Sequence, residues 1–212
     1  MSLDQVTVRK VNKVFDDNFV IFQRTLSYLK CTGKQGINTG YSPDATKKVK
    51  IEITFSNLSR EDITDVTYLY GGYDTQNSAA AGSYTYQSFG NPSISLGNST
   101  YYGSTITFPN TDEHTYQLII DDGSAELILD DVSQGTVNFS GSINTPIGIG
   151  CGIVDGEATG FTTAKIHRFK IYEDDVLIKD FVQCIYNCKP SFMEVISNNI
   201  YPSITDDDFV YP

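Results

Sequence analysis

Few residues of this chain have the spacing that catalysis requires. Glycoside hydrolysis uses two carboxylates that face each other across a groove. Glu126 and Asp130 are four positions apart with Leu-Ile-Leu between them, and we expect Glu126 to face solvent and Asp130, with Asp131, to begin a turn. The two histidines, His114 and His167, stand in no metal-spaced motif, and we expect structural or surface roles for both. No G-x-S-x-G string marks a serine nucleophile, so the sequence predicts a protein that is not an enzyme.

Acidic side chains cluster at several points where calcium could be considered. The clusters are Asp121-Asp122, Asp130-Asp131, Asp174-Asp175 and Asp206-Asp207-Asp208. Calcium takes about six to eight oxygen ligands from converging loops, and none of the clusters has the alternating D-x-D-x-D spacing. The first and third clusters have the composition of hairpin tips, where Asp is a favoured turn residue. The sequence therefore predicts neither a metal ion nor any other cofactor.

Aromatic side chains crowd the middle third of the chain among Ser, Gly and Asn. Tyr offers flat contact area with a polar tip, and sugars stack on such rings, so this composition favours a recognition surface. Tyr also has a high strand propensity and fills sandwich cores, and the chain lacks Trp, the best stacking platform. The aromatic residues are Tyr68, Tyr70, Tyr73, Tyr84, Tyr86, Phe89, Tyr101 and Tyr102. Our ligand-binding candidates are Tyr73, Tyr84, Tyr86, Tyr101 and Tyr102.

The N-terminal segment is the one basic stretch of an acidic chain. The formal net charge of −11 disfavours nucleic acid and anionic membranes as partners. An apolar and basic extension suits docking on another protein subunit. Equally, the segment could add edge strands to its own domain, and both alternatives stay open. The candidate assembly residues are Val6, Val8, Arg9, Lys10, Val11 and Phe15.

Four cysteines are spread along the chain, at Cys31, Cys151, Cys184 and Cys188, without a C-x-x-C pair. Zinc sites favour two close pairs of ligands, so we expect free thiols. Because Cys packs as a small hydrophobe, we expect Cys31 and Cys151 to be reduced and buried. A disulfide between Cys184 and Cys188 is the alternative for an extracellular protein.

The N-terminal residues MSLDQVTVRK lack the basic start and apolar run of a signal peptide. No stretch of about 18 apolar residues could form a membrane-spanning helix. We therefore expect synthesis in a cytoplasm without export by a signal peptide.

Short apolar runs separated by Gly, Ser, Thr, Asn and Asp predict an all-β fold, since strands spaced by roughly 8–12 residues are typical of sandwiches and barrels. Residues 47–55 alternate, which places Val49, Ile51, Ile53 and Phe55 on one buried face. Residues 121–124 and 173–175 predict tight hairpins. The glycines within 147–153 predict a strand that another backbone approaches closely. The tail from residue 188 onward is expected to be irregular.

Several segments, in order, resemble laminin-G-like, concanavalin-like domains of tailed phages and gut bacteria. In that family the second strand of the last hairpin ends in D-F-V-P-C, and here Gln183 replaces the Pro while Cys184 is kept. The resemblance covers residues 28–212 and implies a jelly-roll sandwich of two antiparallel sheets, with residues 1–27 as an N-terminal arm. The matching segments are 28–41, 47–55, 114–116, 165–172, 176–182 and, in degenerate form, 192–201.

The resemblance implies a non-enzymatic structural protein of a phage virion, such as a head decoration, head fibre or tail accessory subunit. Its partners would be further copies of itself or other virion subunits, and it would reach the virion from the host cytoplasm. The alternative is a carbohydrate- or host-surface-binding module, either an adhesin or a receptor-binding domain, on a bacterial cell surface.

Overall fold

All regular secondary structure in the described part of the chain is β-strand. The structure is a computed structural model that describes residues 22–57, 66–77, 79–86, 93–97, 99–102 and 111–212, with the backbone alone for 22–24, 82–86, 93 and 99–102. The strands are β1 Phe22–Thr25, β2 Leu29–Lys30, β3 Ile37–Asn38, β4 Val49–Ser56, β5 Thr67–Asp74, β6 Ala79–Tyr86, β7 Ser93–Leu96, β8 Ser99–Tyr102, β9 His114–Asp121, β10 Ser124–Leu129, β11 Val132–Asn138, β12 Gly148–Ile149, β13 Gly152–Val154, β14 Glu157–Thr159, β15 Lys165–Glu173, β16 Val176–Tyr186, β17 Lys189–Glu194 and β18 Asn199–Tyr201.

The strands form two sheets. The ten-stranded sheet runs β11-β10-β9-β4-β15-β16-β17-β18, with β1 beside β16 and β2 beside β15. The eight-stranded sheet runs β14-β13-β5-β6-β7-β8, with β12 joining β5 to β3. Pairing between these strands is antiparallel except between β13 and β5. None of the described segments contains a helix long and apolar enough to cross a membrane.

The core lies between the two sheets, as the alternation in residues 47–55 predicts. Val49, Ile51, Ile53 and Phe55 are each 0% exposed, which confirms the predicted register of β4. The two sheets meet at the edge-to-face contact of Tyr70 from β5 with Phe169 from β15, whose ring centroids are 5.5 Å apart.

Both predicted hairpins are present, at Asp122–Gly123 between β9 and β10 and at Asp174–Asp175 between β15 and β16. All four turn residues have positive φ, as type I′ turns require. Three further two-residue turns share this geometry, at Asp130–Asp131, Asp155–Gly156 and Asn187–Cys188. Asp and Asn tolerate this conformation better than other non-glycine residues, which explains why they occupy the tips.

The strand predicted over residues 147–153 is divided into β12 and β13, but the predicted close approach of another backbone is present, because a Cβ added to Gly150 would lie 3.1 Å from the Gln35 carbonyl oxygen. A Cβ added to Gly148 would lie 2.6 Å from the Cys151 carbonyl oxygen. A Cβ added to Gly150, where φ is +76°, would lie 2.9 Å from Cys31 Sγ. Only glycine fits at either position, because a real Cβ would overlap its neighbours.

The expectation of an irregular tail is wrong, because β17 and β18 extend the ten-stranded sheet beyond β16. Glu194 of β17 is 0% exposed, although it is charged, and it lies on the same face of the strand as Phe192. Its carboxylate accepts backbone N–H groups of Asp180 at 3.1 Å, Ile196 at 3.0 Å and Ser197 at 2.8 Å. A buried carboxylate of this kind has no signature in a pattern of apolar and polar residues.

The predicted boundary after residue 27 falls just beyond β1, which pairs with β16 through Thr25 and Cys184. The candidate assembly residues lie in 1–21, outside the described residues. The arm therefore stays a prediction, while residues 22–25 belong to the ten-stranded sheet.

Glu194 generates a prediction about pH. Burial raises the pKa of Glu194, but the hydrogen bonds from Ser197, Asp180 and Ile196 outweigh burial and hold the pKa below its ordinary value. The stabilisation is therefore present above the pKa of the unfolded state and is lost as the pH falls through the lower folded pKa. We expect Glu194→Gln to lower the free energy of unfolding at pH 7 by about 1–3 kcal/mol, and the difference from the original protein to shrink in acid.

Urea unfolding at neutral and acidic pH measures this effect. Glu157→Gln, in the exposed strand β14, is the matched control and should change stability little at either pH. Equal behaviour of the two variants would contradict the role assigned to Glu194.

Candidate functional site

A cleft of about 200 Å³ opens where β5 ends. Three segments form it: the end of β5 with its turn into β6, the loop that precedes β12, and the turn between β13 and β14. We call it the Tyr73 cleft. It is lined by Tyr73, Asp74, Gln76, Thr145, Pro146, Asp155 and Gly156.

The wall of the cleft formed by Thr145 and Pro146 depends on a glycine in β5. A Cβ added to Gly72 would lie 1.8 Å from the Pro146 carbonyl oxygen, so any other residue would push this wall away. On its far side the loop is held by Ile147, whose N–H donates to the Tyr41 carbonyl at 3.0 Å. The wall is thus fixed from both sides.

Asp155 ties two of the three segments together. It is the first residue of a type I′ turn, with φ of +50° followed by +88° at Gly156. Its N–H donates to the Tyr73 carbonyl at 3.0 Å. Its carboxylate accepts the N–H of Thr75 at 2.8 Å and the hydroxyl of Thr75 at 2.6 Å. These bonds hold the carboxylate beside the end of β5.

Asp74 organises the turn that leads into β6. Its carboxylate accepts the Nδ2–H of Asn77 at 2.7 Å, together with the backbone N–H groups of Asn77 at 3.0 Å and Gln76 at 2.9 Å. The Asn77 side chain and these N–H groups hold the pKa of Asp74 below its ordinary value. Asp74 is therefore ionised at neutral pH.

The cleft is an acceptor site with one aromatic ring. Two of its lining residues are aspartates, and none of the seven described lining residues is Lys, Arg or His. The ion pairs among the described residues involve other parts of the molecule. Such a site can accept hydrogen bonds from hydroxyl groups and contact an apolar face with the Tyr73 ring.

Of the five predicted ligand-binding tyrosines, Tyr73 lies in this cleft and is half-buried. The backbone register places the other four away from it: Tyr73 pairs with Ala80 of β6, whereas Tyr84 pairs with Tyr70 and Tyr86 with Thr67. Tyr101 and Tyr102 of β8 pair with Ile94 and Ser93 of β7, which pair in turn with Tyr84 and Thr85 of β6. Their backbone therefore lies at the same end of the sheet as Tyr84. The side chains of Tyr84, Tyr86, Tyr101 and Tyr102 lie outside the described residues, so their part in binding stays a prediction.

A second polar array, which the sequence analysis missed, surrounds His167. Its Nε2 lies 2.8 Å from Ser56 Oγ and its Nδ1 lies 3.4 Å from Glu113 Oε2. This is the order of groups in an acyl-transfer triad, but Ser56 is only 7% exposed and ends a strand rather than standing on an exposed turn. Burial lowers the pKa of His167. We interpret the array as structural, and its three members are too far apart in sequence to form a local motif.

His114 is likewise engaged by its neighbours. Its Nδ1 lies 2.6 Å from Asp130 Oδ2, and its ring centroid lies 6.0 Å from that of Phe55. In the part of the chain that the structure describes, no group of three or more His, Cys, Asp or Glu side chains is placed to hold a metal ion.

The three buried thiols offer no activated nucleophile. Cys31, Cys151 and Cys184 are buried and free, and Cys188 is exposed and free, which confirms the predicted burial of Cys31 and Cys151. Burial raises the pKa of Cys151 to about 12 and that of Cys184 to about 11, and it raises the pKa of Cys31 as well. Reactive thiols need the opposite shift.

Alkylation of the native protein should therefore separate the cysteines. We expect Cys188 to react rapidly and Cys31, Cys151 and Cys184 to react only when the protein is unfolded in urea, because reagent must reach an ionised sulfur. Mass spectrometry of peptides after a timed iodoacetamide pulse gives the labelling at each site. Rapid labelling of Cys31 or Cys151 in the native protein would contradict their burial.

The chain matches no protein-family model and no curated protein. Its fold is similar to that of the CBM40 carbohydrate-binding module of the Ruminococcus gnavus IT-sialidase, with a TM-score of 0.53 and 15% identity over 73% of this chain and 93% of the module. The same module bound to α2,3 sialyllactose gives a TM-score of 0.53 and 14% identity, over 74% and 95% of the two chains.

The heptameric SAP-like pentraxin of Limulus polyphemus gives a TM-score of 0.44 and 11% identity, over 75% of this chain and 76% of the pentraxin. Identities this low describe the fold alone. The fold shared with the CBM40 module agrees with the strand topology, and the predicted all-β jelly-roll sandwich of the concanavalin-like type is confirmed.

Proposed function

We propose that this protein is a non-catalytic carbohydrate-binding module that holds a glycan in the Tyr73 cleft. The observation that carries the proposal is the convergence of the Tyr73 ring with the carboxylates of Asp74 and Asp155 in one cleft. The CBM40 module of R. gnavus, which shares the fold, binds α2,3 sialyllactose. That example supports glycan binding by a protein of this shape, although one fold hosts many functions.

Sugars present what this cleft can recognise. A sugar ring has hydroxyl donors around its edge and C–H groups on its faces, and an aromatic ring such as Tyr73 can cover one face. A carboxylate offers about four acceptor positions, and the described residues use two at Asp155 and three at Asp74. The unused positions can accept charge-assisted hydrogen bonds from hydroxyl groups, which are stronger than neutral ones.

The size of the cleft sets the scale of binding. At about 200 Å³ it is smaller than the roughly 300–1,000 Å³ of pockets for drug-sized ligands, and it suits a single sugar ring. The fixed positions of Asp155 and of the Pro146 wall reduce the ordering cost of binding. We expect weak affinity for one site, which several linked copies would raise by avidity.

A pair of tyrosine variants tests the proposal. We expect Tyr73→Ala to weaken glycan binding by about ten-fold, or ~1.4 kcal/mol, because it removes the stacking surface. Tyr172→Ala is the matched control: Tyr172 is half-buried in the ten-stranded sheet, with Lys50 Nζ 3.9 Å from its ring centroid, and its loss should leave binding unchanged. A glycan array identifies the ligand, and titration calorimetry then measures each variant.

Two results would count against this site. Loss of binding in Tyr172→Ala, with Tyr73→Ala unaffected, would place the glycan on the ten-stranded sheet. Absence of any glycan bound by the original protein would remove the proposed function itself.

We further propose that the N-terminal arm assembles the module into an oligomer or onto a larger particle. The larger particle would be a phage virion, and the resemblance to domains of tailed-phage proteins supports this part of the proposal. The apolar and basic composition of the arm supports its role in assembly. Phe22 at the start of β1 lies opposite Tyr186 of β16, so an assembly arm formed by residues 1–21 would begin beside β16. We propose that such an arm reaches a neighbouring subunit.

Deletion of residues 1–21, which leaves β1 intact, tests the arm. We expect the shortened protein to keep its thermal unfolding midpoint, because the described core stays complete, and to lose self-association in light scattering after gel filtration. The substitutions Arg9→Ser and Lys10→Ser should weaken association without abolishing it. A shortened protein that assembles normally, or that no longer folds, would contradict the proposal.

A further inference from the structure

We propose that the Tyr73 cleft selects uncharged glycans and rejects sialylated and other acidic glycans. This inference rests on the proposed function, and it names the class of ligand for the same site. It separates this protein from the fold neighbour that binds sialyllactose.

The charges in the cleft are all of one sign. Asp74 and Asp155 both line it, and the seven described lining residues include no cationic side chain. A glycan carboxylate in this space would approach two carboxylates with no cation to pair with. Burying an unpaired charge beside charges of the same sign is unfavourable.

The negative charge is built into the loops. The Asp74 carboxylate is committed to Asn77 and Gln76, and that of Asp155 to Thr75. The hydrogen bonds at Asp74 hold its pKa below the ordinary value, so protonation of Asp74 cannot relieve the repulsion without disturbing its turn. The formal net charge of −11 on the whole chain also disfavours the approach of an anionic ligand.

Several of the cations that the structure describes are paired with carboxylates on the ten-stranded sheet. Arg168 donates two hydrogen bonds to Asp180, at 2.9 and 2.7 Å, and Lys170 donates to Glu52 at 2.6 Å. An acidic sugar would have to compete with Asp180 and Glu52 for these two cations. Neither of them lines the Tyr73 cleft.

Matched glycan pairs test the inference. An array should carry each glycan with and without its terminal sialic acid, for example lactose and α2,3 sialyllactose. The measurement is made in EDTA, because a divalent cation between the two carboxylates would neutralise the charge of the site. We expect the uncharged member of each recognised pair to bind at least ten-fold more tightly than the sialylated member.

Charge-neutral variants then locate the source of the discrimination. Asp155→Asn and Asp74→Asn keep the shape of the side chains, and each should reduce the discrimination several-fold. Asp131→Asn is the control, because it removes one charge at an exposed turn of the ten-stranded sheet and should leave the discrimination unchanged. Thermal unfolding of each variant confirms that the fold is retained.

The outcomes are distinguishable. Equal or tighter binding of the sialylated glycans by the original protein would overturn this inference and leave the proposed function standing. A similar effect of Asp131→Asn would also overturn it, because net charge rather than the cleft would then select the ligand. Binding of no glycan would overturn the inference together with the proposed function.

Discussion

The packing of Phe169 against Tyr70 is the contact on which the rest of the structure depends. Phe169 stands opposite Ile53 on one neighbouring strand and Phe181 on the other, so its inward position sets the register of the ten-stranded sheet. The inward position of Tyr70 likewise sets the register of β5 in the eight-stranded sheet. Because side chains alternate between the faces of a sheet, a slip of one residue would turn the whole buried set outward. The cleft begins three residues beyond Tyr70, at Tyr73, and its position follows from that register.

A second constraint is the close approach of backbone to backbone at glycine. Gly72 lets the Pro146 carbonyl approach β5. Gly150, between β12 and β13, lets the backbone pack against the Cys31 sulfur. The shape of the cleft wall and the burial of Cys31 therefore both depend on close backbone packing around residues 146–150. Larger residues at these positions would separate the loop from the sheet, and the cleft would lose its shape even if every lining side chain were kept.

The elements that sequence analysis could predict are those whose signals are local. The alternation from Val49 to Phe55 and the Asp122–Gly123 turn need only their own neighbours, and both are as expected. β17 was missed because Glu194 is buried by hydrogen bonds from distant and adjacent backbone, which no local pattern records. The cleft unites residues some 80 positions apart, such as Thr75 and Asp155. The clustering of tyrosines along the chain pointed to Tyr73 but could not show that the register sets it apart from Tyr84 and Tyr101.

The two readings of the sequence, an assembly subunit and a glycan-binding module, are physically complementary. A cleft with room for one sugar ring binds weakly, and weak sites become effective only when several are linked. An acidic surface keeps separate modules apart in solution, so linking them requires a dedicated contact of different character. The basic and apolar arm has that character, since Arg9 and Lys10 stand among valines in a chain of net charge −11. In this view the arm would supply the valency and the jelly-roll the specificity, and neither would suffice alone.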